Sequence, residues 1–407
     1  MFRKNAIITQ RGTKWFIPHF YTKELQLMKT LLKDCQLVSP EIELEGASIL
    51  IENDRIKRIY TCDDELPEAD QVIDIQGDFV MPGFIDVHCH GNSGLDFADC
   101  TLEAVRTMAE KKLLEGVTTL LPTTLTLPEE TLAEAMKTAA EYAKNPTGCK
   151  VPGVHLEGPF INPKCLGAQN PAYVRAPDVA EVMRLNAIYP VLKVSYAVEM
   201  EGGAEFAAEL ISEGITPSCV HSAATYAQFQ AAREHGLKNL SHFCNQMTPL
   251  HHRDIGLVGA GLVNEDVYIE FICDKLHICP DMINLVFSLK DVNHIQLITD
   301  AMRAAGMPDG ESSLGGLPVI VKDGAARLKS NGALAGSTLK LNHALRNVAE
   351  ITGYALSELV KTTSWNQACA LGLKDVGRLE PGYFADIVVL DGSFEVRQVF
   401  VNGVQKV

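Results

Sequence analysis

Eight short apolar runs alternating with helical stretches constrain the fold of this chain more than any other feature. The runs fall at residues 83–87, 117–124, 151–155, 192–197, 215–220, 239–243, 268–273 and 294–299. Their length and bounding turn residues suit strands buried on both faces. Between them the apolar period lengthens to that of a helix. Residues 101–115 place Leu102, Val105, Met108 and Leu113 on one stripe, with Thr101 as N-cap and Gly116 as terminator. Residues 128–144 form a second such stretch, stopped by Asn145-Pro146. This alternation predicts an α/β fold with a parallel sheet, either closed as a (β/α)8 TIM-type barrel or open and doubly wound.

The two ends of the chain have another texture. Residues 31–38, 47–52, 55–60 and 71–75 read as strands, with Asn53-Asp54 as a hairpin turn. Residues 385–390 and 396–401 repeat that pattern around Asp391-Gly392-Ser393, and Asn402-Gly403 makes a final turn. Together they predict one small β-sandwich built from both ends, residues 28–82 and 375–407, around a barrel of residues 83–374. Residues 1–27 carry Arg3, Lys4, Arg11, Lys14 and Lys23 against the single acid Glu24. They read as an extension outside the fold, with a basic transit peptide as the alternative.

Composition narrows the partners. Hydrophobic residues make up 46% and charged residues 21%, as in a soluble globular protein. No run approaches the roughly 20 apolar residues that span a bilayer. A net charge of −15 disfavours a long nucleic-acid interface. It leaves room for a small anionic substrate held by a local cluster of donors. The 11 cysteines are scattered and never spaced Cys-x-x-Cys, so they read as reduced thiols of a cytoplasmic protein.

Barrel chemistry sits at the carboxyl ends of the strands, and the ends of these runs are where the polar residues fall. The first run closes on His88 and His90, which project to the same side because strand side chains alternate. Glu157 ends the third run, His221 the fifth, His242 the sixth and Asp300 the eighth. Imidazoles and carboxylates converging from five strand ends are what a hydrolytic divalent metal centre requires. The coincidence favours a closed barrel over an open sheet. A carboxylate such as Asp300 at that mouth is the candidate general base toward an activated water. Nitrogen and oxygen ligands suit zinc or iron equally.

Several stretches carry a resemblance. They are Pro82-Gly83-Phe84-Ile85-Asp86-Val87-His88-Cys89-His90-Gly91, His155-Leu156-Glu157-Gly158-Pro159-Phe160 and Met247-Thr248-Pro249-Leu250-His251-His252-Arg253-Asp254. To these add the run from Thr299-Asp300-Ala301-Met302 to Gly310, and Leu334-Ala335-Gly336-Ser337. From about residue 29 onward the chain resembles the amidohydrolase superfamily, in its sugar-phosphate deacetylase branch. That resemblance implies a metal-dependent hydrolase converting N-acetylglucosamine 6-phosphate to glucosamine 6-phosphate and acetate. The alternatives are another N-acyl sugar or cyclic amide as substrate, or a silent sugar-phosphate-binding barrel.

By position, the resemblance implies that Glu157, His221 and His242 hold the principal ion. His88 and His90 complete a second position with Glu157 bridging, so one or two ions fit. It assigns carbonyl polarisation to Gln169, where some relatives carry histidine. Phosphate recognition falls to Asn245, the Gln246 backbone N–H, Arg253 and His277. The arginine is expected to reach a neighbouring subunit's site, implying a homodimer. Cys244, Gln246 and Lys275 depart from the family pattern, and Lys275 either contacts phosphate or points to solvent.

Overall fold

The computed structural model describes residues 28–407, so the expectation for residues 1–27 lies outside the described residues. Each of the eight apolar runs overlaps a strand. Six lie side by side, parallel and in chain order: Val154–Glu157, Val191–Tyr196, Thr216–Cys219, Asn239–Leu240, Tyr268–Phe271 and Ile295–Leu297. The other two, Phe84–Cys89 and Val117–Pro122, form a parallel pair. Isolated bridges join this pair to the ends of the six, Thr123 with His155 and Cys89 with Ala301. At those seams the Thr124 N–H donates to the His155 carbonyl (3.0 Å) and the Asp300 N–H to the His88 carbonyl (2.8 Å). The curled sheet therefore brings the first and last strands of the series together, where His88 and Asp300 stand.

The helices cover the sheet for the reasons the sequence suggests. Leu102–Leu113 is capped by Thr101, whose hydroxyl accepts from the Ala104 N–H at 3.1 Å, and it buries Val105, Met108 and Leu113. It stops before Gly116, at φ +82°, where a Cβ would meet Val388 and Phe84 at 2.9 and 3.0 Å. Glu129–Ala143 buries Leu132, Ala135, Met136, Ala139 and Tyr142, spaced to share one face.

Both ends of the described chain enter one eight-stranded sheet. It contains Lys29–Ser39, Ile42–Glu52, Arg55–Tyr60 and Gln71–Asp74 from one end, and Ile387–Leu390, Val396–Val401 and Val404–Gln405 from the other. A strand not foreseen, Phe79–Pro82, joins them by pairing antiparallel with Ile387–Leu390. It runs almost directly into the first parallel strand, so no turn signal separates the two in the sequence. The sheet has its own apolar cluster, including Leu32, Leu37, Ile49, Ile51, Val80, Ile387, Val389 and Phe400.

A second unforeseen element is a three-stranded antiparallel hairpin sheet, Gly310–Leu314, Leu317–Lys322 and Ala325–Leu328. Its turns are Gly315-Gly316 and Asp323-Gly324, all four residues at positive φ. Leu314, Val319, Val321, Ala326 and Leu328 pack on Leu125, Met302, Ala304 and Ala335. The hairpin sheet thus rests on loops that follow the second and last parallel strands.

Beneath those strand ends lies a buried ionic knot. Lys112 Nζ sits 3.1 Å from Asp86 Oδ2, 2.8 Å from Glu115 Oε2 and 3.0 Å from the Thr299 hydroxyl. Thr299 donates to Asp86 Oδ2 at 2.6 Å, and Asp86 Oδ1 accepts from the His88 N–H at 3.3 Å. The knot ties the backbone at His88 to the residue preceding Asp300. Lys112→Met leaves two buried carboxylates without their counter-charge, and we expect a loss of about 3–5 kcal/mol in urea unfolding.

Candidate metal centre

Glu157 ends its strand at 2% exposure with four imidazoles around its carboxylate. His242 Nε2 lies 3.1 Å, His88 Nε2 3.3 Å and His221 Nε2 3.5 Å from Oε1, while His90 Nε2 lies 3.4 Å from Oε2. Asp300 Oδ1 stands 3.1 Å from His90 Nε2 and 3.7 Å from His88 Nε2. Two donor sets result, Glu157–His221–His242 and His88–His90–Glu157, each with its ligand atoms within 4.8 Å of one another.

The imidazoles are fixed from behind. His221 Nδ1 donates to the Cys165 carbonyl at 2.6 Å, His242 Nδ1 to the Asn245 carbonyl at 3.1 Å, and His90 Nδ1 to the Thr123 carbonyl at 3.2 Å. His88 Nδ1 lies 2.9 Å from Glu270 Oε2. These partners put the proton on Nδ1 and turn each Nε2 lone pair toward the centre. His221 and His242 then face each other across 3.3 Å between Nε2 atoms, a separation that two neutral lone pairs do not favour. His88 Nε2 is buried with no hydrogen-bond partner. Converging lone pairs, an orphaned ring nitrogen and a shared carboxylate fit a divalent cation at either set.

Backbone geometry aims these groups. His221, His242 and Asp300 adopt φ of +43°, +35° and +48°. Non-glycine residues in the left-handed region cost about 1–3 kcal/mol each and persist where their surroundings over-determine them. Here each one lies just past a strand end, turning the chain so that its side chain joins the centre.

Electrostatics follow the same layout. Burial resists ionisation of Glu157, yet His88, His221 and His242 together hold its carboxyl well below the usual carboxylate range. Burial likewise opposes charge on Asp300, and His88 and His90 outweigh it, so Asp300 stays ionised and able to accept a proton. Burial alone would keep His88 and His90 neutral; Glu157 and Asp300 push both upward. For His242 burial prevails and its pKa falls.

The centre opens into a cavity of about 330 Å³ lined also by Gln169, Asn245, Gln246 and His277. Gln169 is held at both ends of its amide. Its oxygen accepts from the Thr126 N–H at 2.7 Å and its nitrogen donates to Glu157 Oε2 at 2.6 Å. His277 Nδ1 lies 2.6 Å from Asp274 Oδ2. Arg253 alone among the expected site residues stays outside, exposed on its loop. It does not pair with Asp254, whose carboxylate accepts instead from the Tyr226 and Gly256 N–H groups. Lys275 pairs with Glu350 at 3.1 Å rather than joining the cavity.

Sequence reasoning missed two buried charges, Glu270 and Lys193. Glu270 contacts both His88 and Lys193 Nζ, linking a ligand candidate to a buried ammonium. Burial draws the Lys193 pKa down to about 7, against the opposing pull of the Glu157 charge. Each stands alone in an apolar strand, Val191-Leu192-Lys193-Val194 and Tyr268-Ile269-Glu270-Phe271. Lone charges of that kind mark an inward polar position.

The profile of the amidohydrolase family matches residues 79–187 and 289–406. The chain belongs to the amidohydrolase family. Within that family it is 37% identical over 330 residues to the N-acetylglucosamine-6-phosphate deacetylase of Lysinibacillus sphaericus, covering 80% of this chain and 85% of that one. It is 38% identical over 336 residues to the N-acetylgalactosamine-6-phosphate deacetylase of Escherichia coli O157:H7, covering 82% and 89%. The crystal structure of N-acetylglucosamine-6-phosphate deacetylase from Thermotoga maritima superposes with a TM-score of 0.84 at 36% identity, over 93% of this chain and 99% of that one. Residues 83–90 and 300–301, which bring His88, His90 and Asp300 together, all lie inside the stretches matched by the amidohydrolase profile.

Glu270→Gln removes the anion that fixes His88. Any ion held by the His88–His90–Glu157 set is then expected to be lost about ten- to a hundredfold more readily. Dialysis against graded chelator, followed by elemental analysis of total metal per chain in both proteins, checks this.

Proposed function

We propose that this chain hydrolyses the acetamide of N-acetylglucosamine 6-phosphate, releasing glucosamine 6-phosphate and acetate. The observation that carries the reading is Glu157 shared between two histidine pairs, with the ionised Asp300 beside them in a cavity also lined by Asn245, Gln246 and His277. The named activities of its relatives support the substrate class, since both substrates combine an N-acetyl group with a 6-phosphate. The Escherichia coli relative favours a second reading, the galactosamine epimer, which differs at one ring hydroxyl.

In this reading Glu157, His221 and His242 would hold the principal divalent ion, zinc or iron, and His88 and His90 together with Glu157 would hold a second. Such an ion supplies Lewis acidity, lowering the pKa of water toward neutrality and polarising a carbonyl. Asp300 accepts the proton of the attacking water and delivers it to the amine nitrogen, which departs poorly without it. Gln169 has one amide hydrogen committed to Glu157; its second is assigned to the substrate carbonyl. Asn245, the Gln246 N–H and His277 contact the phosphate.

Arg253 completes phosphate recognition from a second copy of the chain, in a homodimer. Its exposure and its absence from its own subunit's cavity support action in trans. We read the curled parallel sheet as a closed (β/α)8 barrel of residues 83–374, and the sheet from both ends, residues 28–82 and 375–407, as a β-sandwich. All 11 cysteines are free thiols, which suits a reducing cytoplasm. No described helix is long and apolar enough to cross a membrane.

Acetate release from a panel of phosphorylated and free N-acetyl hexosamines tests the substrate. We expect strong preference for the 6-phosphates, and equal turnover of the free sugar rejects the assignment. Asp300→Asn is expected to lower kcat at least about a hundredfold while elemental analysis finds metal content retained. Co-expressing Arg253→Ala with Asp300→Asn subunits gives mixed dimers with one intact site under action in trans and none under action in cis. Recovery of about a quarter of wild-type activity is expected if the arginine acts across the interface.

A further inference from the structure

We propose that Arg327, on the hairpin sheet, is the cation by which each subunit reads the anionic end of its own substrate. This rests on the deacetylase reading above and adds to it a residue from an element with no part in the metal centre. Among the described residues that line the cavity, Arg327 is the only lysine or arginine. Glu157 and Asp300 are the two carboxylates among the lining residues. A phosphate entering such a cavity needs a positive group at its far side. Arg253 of the same subunit does not provide one, because it lies outside.

The hairpin sheet holds Arg327 in place. Ala326 and Leu328 on either side are buried in the hairpin core, so strand alternation directs Arg327 to the opposite face. The Ala335 N–H donates to the Ala326 carbonyl at 3.1 Å, and the Leu328 N–H to the Ala333 carbonyl at 2.9 Å. Arg327 bridges to Leu334 in the same register. Three residues beyond Leu334, the Ser337 N–H donates to the Asp300 carbonyl at 2.7 Å. The segment that supports the proton-shuttling aspartate therefore also sets the position of the arginine. The Asp323-Gly324 turn of the hairpin and the Asp274–Leu276 loop line one small recess, which places this strand beside the loop carrying His277.

The guanidinium itself is largely uncommitted. Nη1 donates to the Gly332 carbonyl at 2.9 Å, and no described carboxylate lies within ion-pair distance. That leaves N–H groups in the planar fork that matches phosphate oxygens in a bidentate manner. Arg327 would thus act in cis where Arg253 acts in trans, each bearing on the phosphate from a different element.

The test uses the metal-loaded full-length enzyme and Arg327→Gln, with Arg327→Lys as the conservative variant. Two readouts are taken. One is the ratio of kcat/KM for N-acetylglucosamine 6-phosphate to that for free N-acetylglucosamine; the other is competitive inhibition by inorganic phosphate. We expect the glutamine variant to lower the ratio about ten- to a hundredfold, mainly through KM, and to raise the phosphate inhibition constant by a comparable factor. Lysine is expected to restore part of both. An equal fall for both sugars would show that the side chain only supports the hairpin and would overturn the proposal. So would a phosphate inhibition constant within about twofold of wild type, below what loss of a charged hydrogen bond produces. A wild-type enzyme indifferent to the 6-phosphate would instead reject the substrate assignment, and the phosphate inhibition arm still decides the role of Arg327.

Discussion

A carboxylate removed from water must be compensated by nearby positive charge or by donors, and the design of this molecule follows from where that carboxylate is. Glu157 is almost fully buried, and four ring nitrogens from three other strand ends approach its two oxygens. Imidazoles turned by their Nδ1 bonds toward a common point offer lone pairs, and they compensate an anion only when a proton or a cation sits at Nε2. A divalent cation satisfies the lone pairs and the carboxylate together. Ion binding and local folding are for that reason one problem, and the left-handed strand ends at His221, His242 and Asp300 are conformations that the surrounding contacts must hold.

Behind the ligands lies a second arrangement of buried charge. Lys112 sits among Asp86, Glu115 and Thr299, and Lys193 touches Glu270, so each buried acid has a cation at hand. Both assemblies end on the same residue. Asp86 accepts from the His88 backbone, and Glu270 accepts from its ring. His88 is thereby oriented in position and in tautomer by groups that never reach the cavity. Paired buried charges of this kind contribute little net stability compared with apolar packing, but they specify one geometry. Specified geometry is what a centre with ligand atoms gathered within a few ångströms requires.

Much of this was legible in the chain. The eight apolar runs each yielded a strand because runs buried on both faces leave a dense signal, and the ligand candidates lay at their ends because parallel strands point one way. Ten of the eleven expected site residues line the cavity or belong to the two donor sets. What escaped had weaker or ambiguous signals. Phe79–Pro82 merges with the strand after it. The hairpin sheet was overlooked although Val319 and Val321 alternate with exposed Ile320 and Lys322, a half-buried pattern ending in an Asp-Gly turn. Glu270 and Lys193 were not singled out, since pairing between distant strands is invisible until register is known. Arg253 is a different case, because within its own chain it is exposed on a loop outside the cavity.

The pairing of Phe79–Pro82 with Ile387–Leu390 has a consequence for synthesis. The strand leading into the metal-bearing sheet completes its hydrogen bonds only with residues that leave the ribosome about three hundred positions later, a separation that slows folding. Nearly the whole polypeptide is made before that edge can close, and until then Val80 and Met81 present an open, apolar ribbon to other nascent chains. Shielding by chaperones during translation is thus most needed at the beginning of the molecule, on account of a partner at its end.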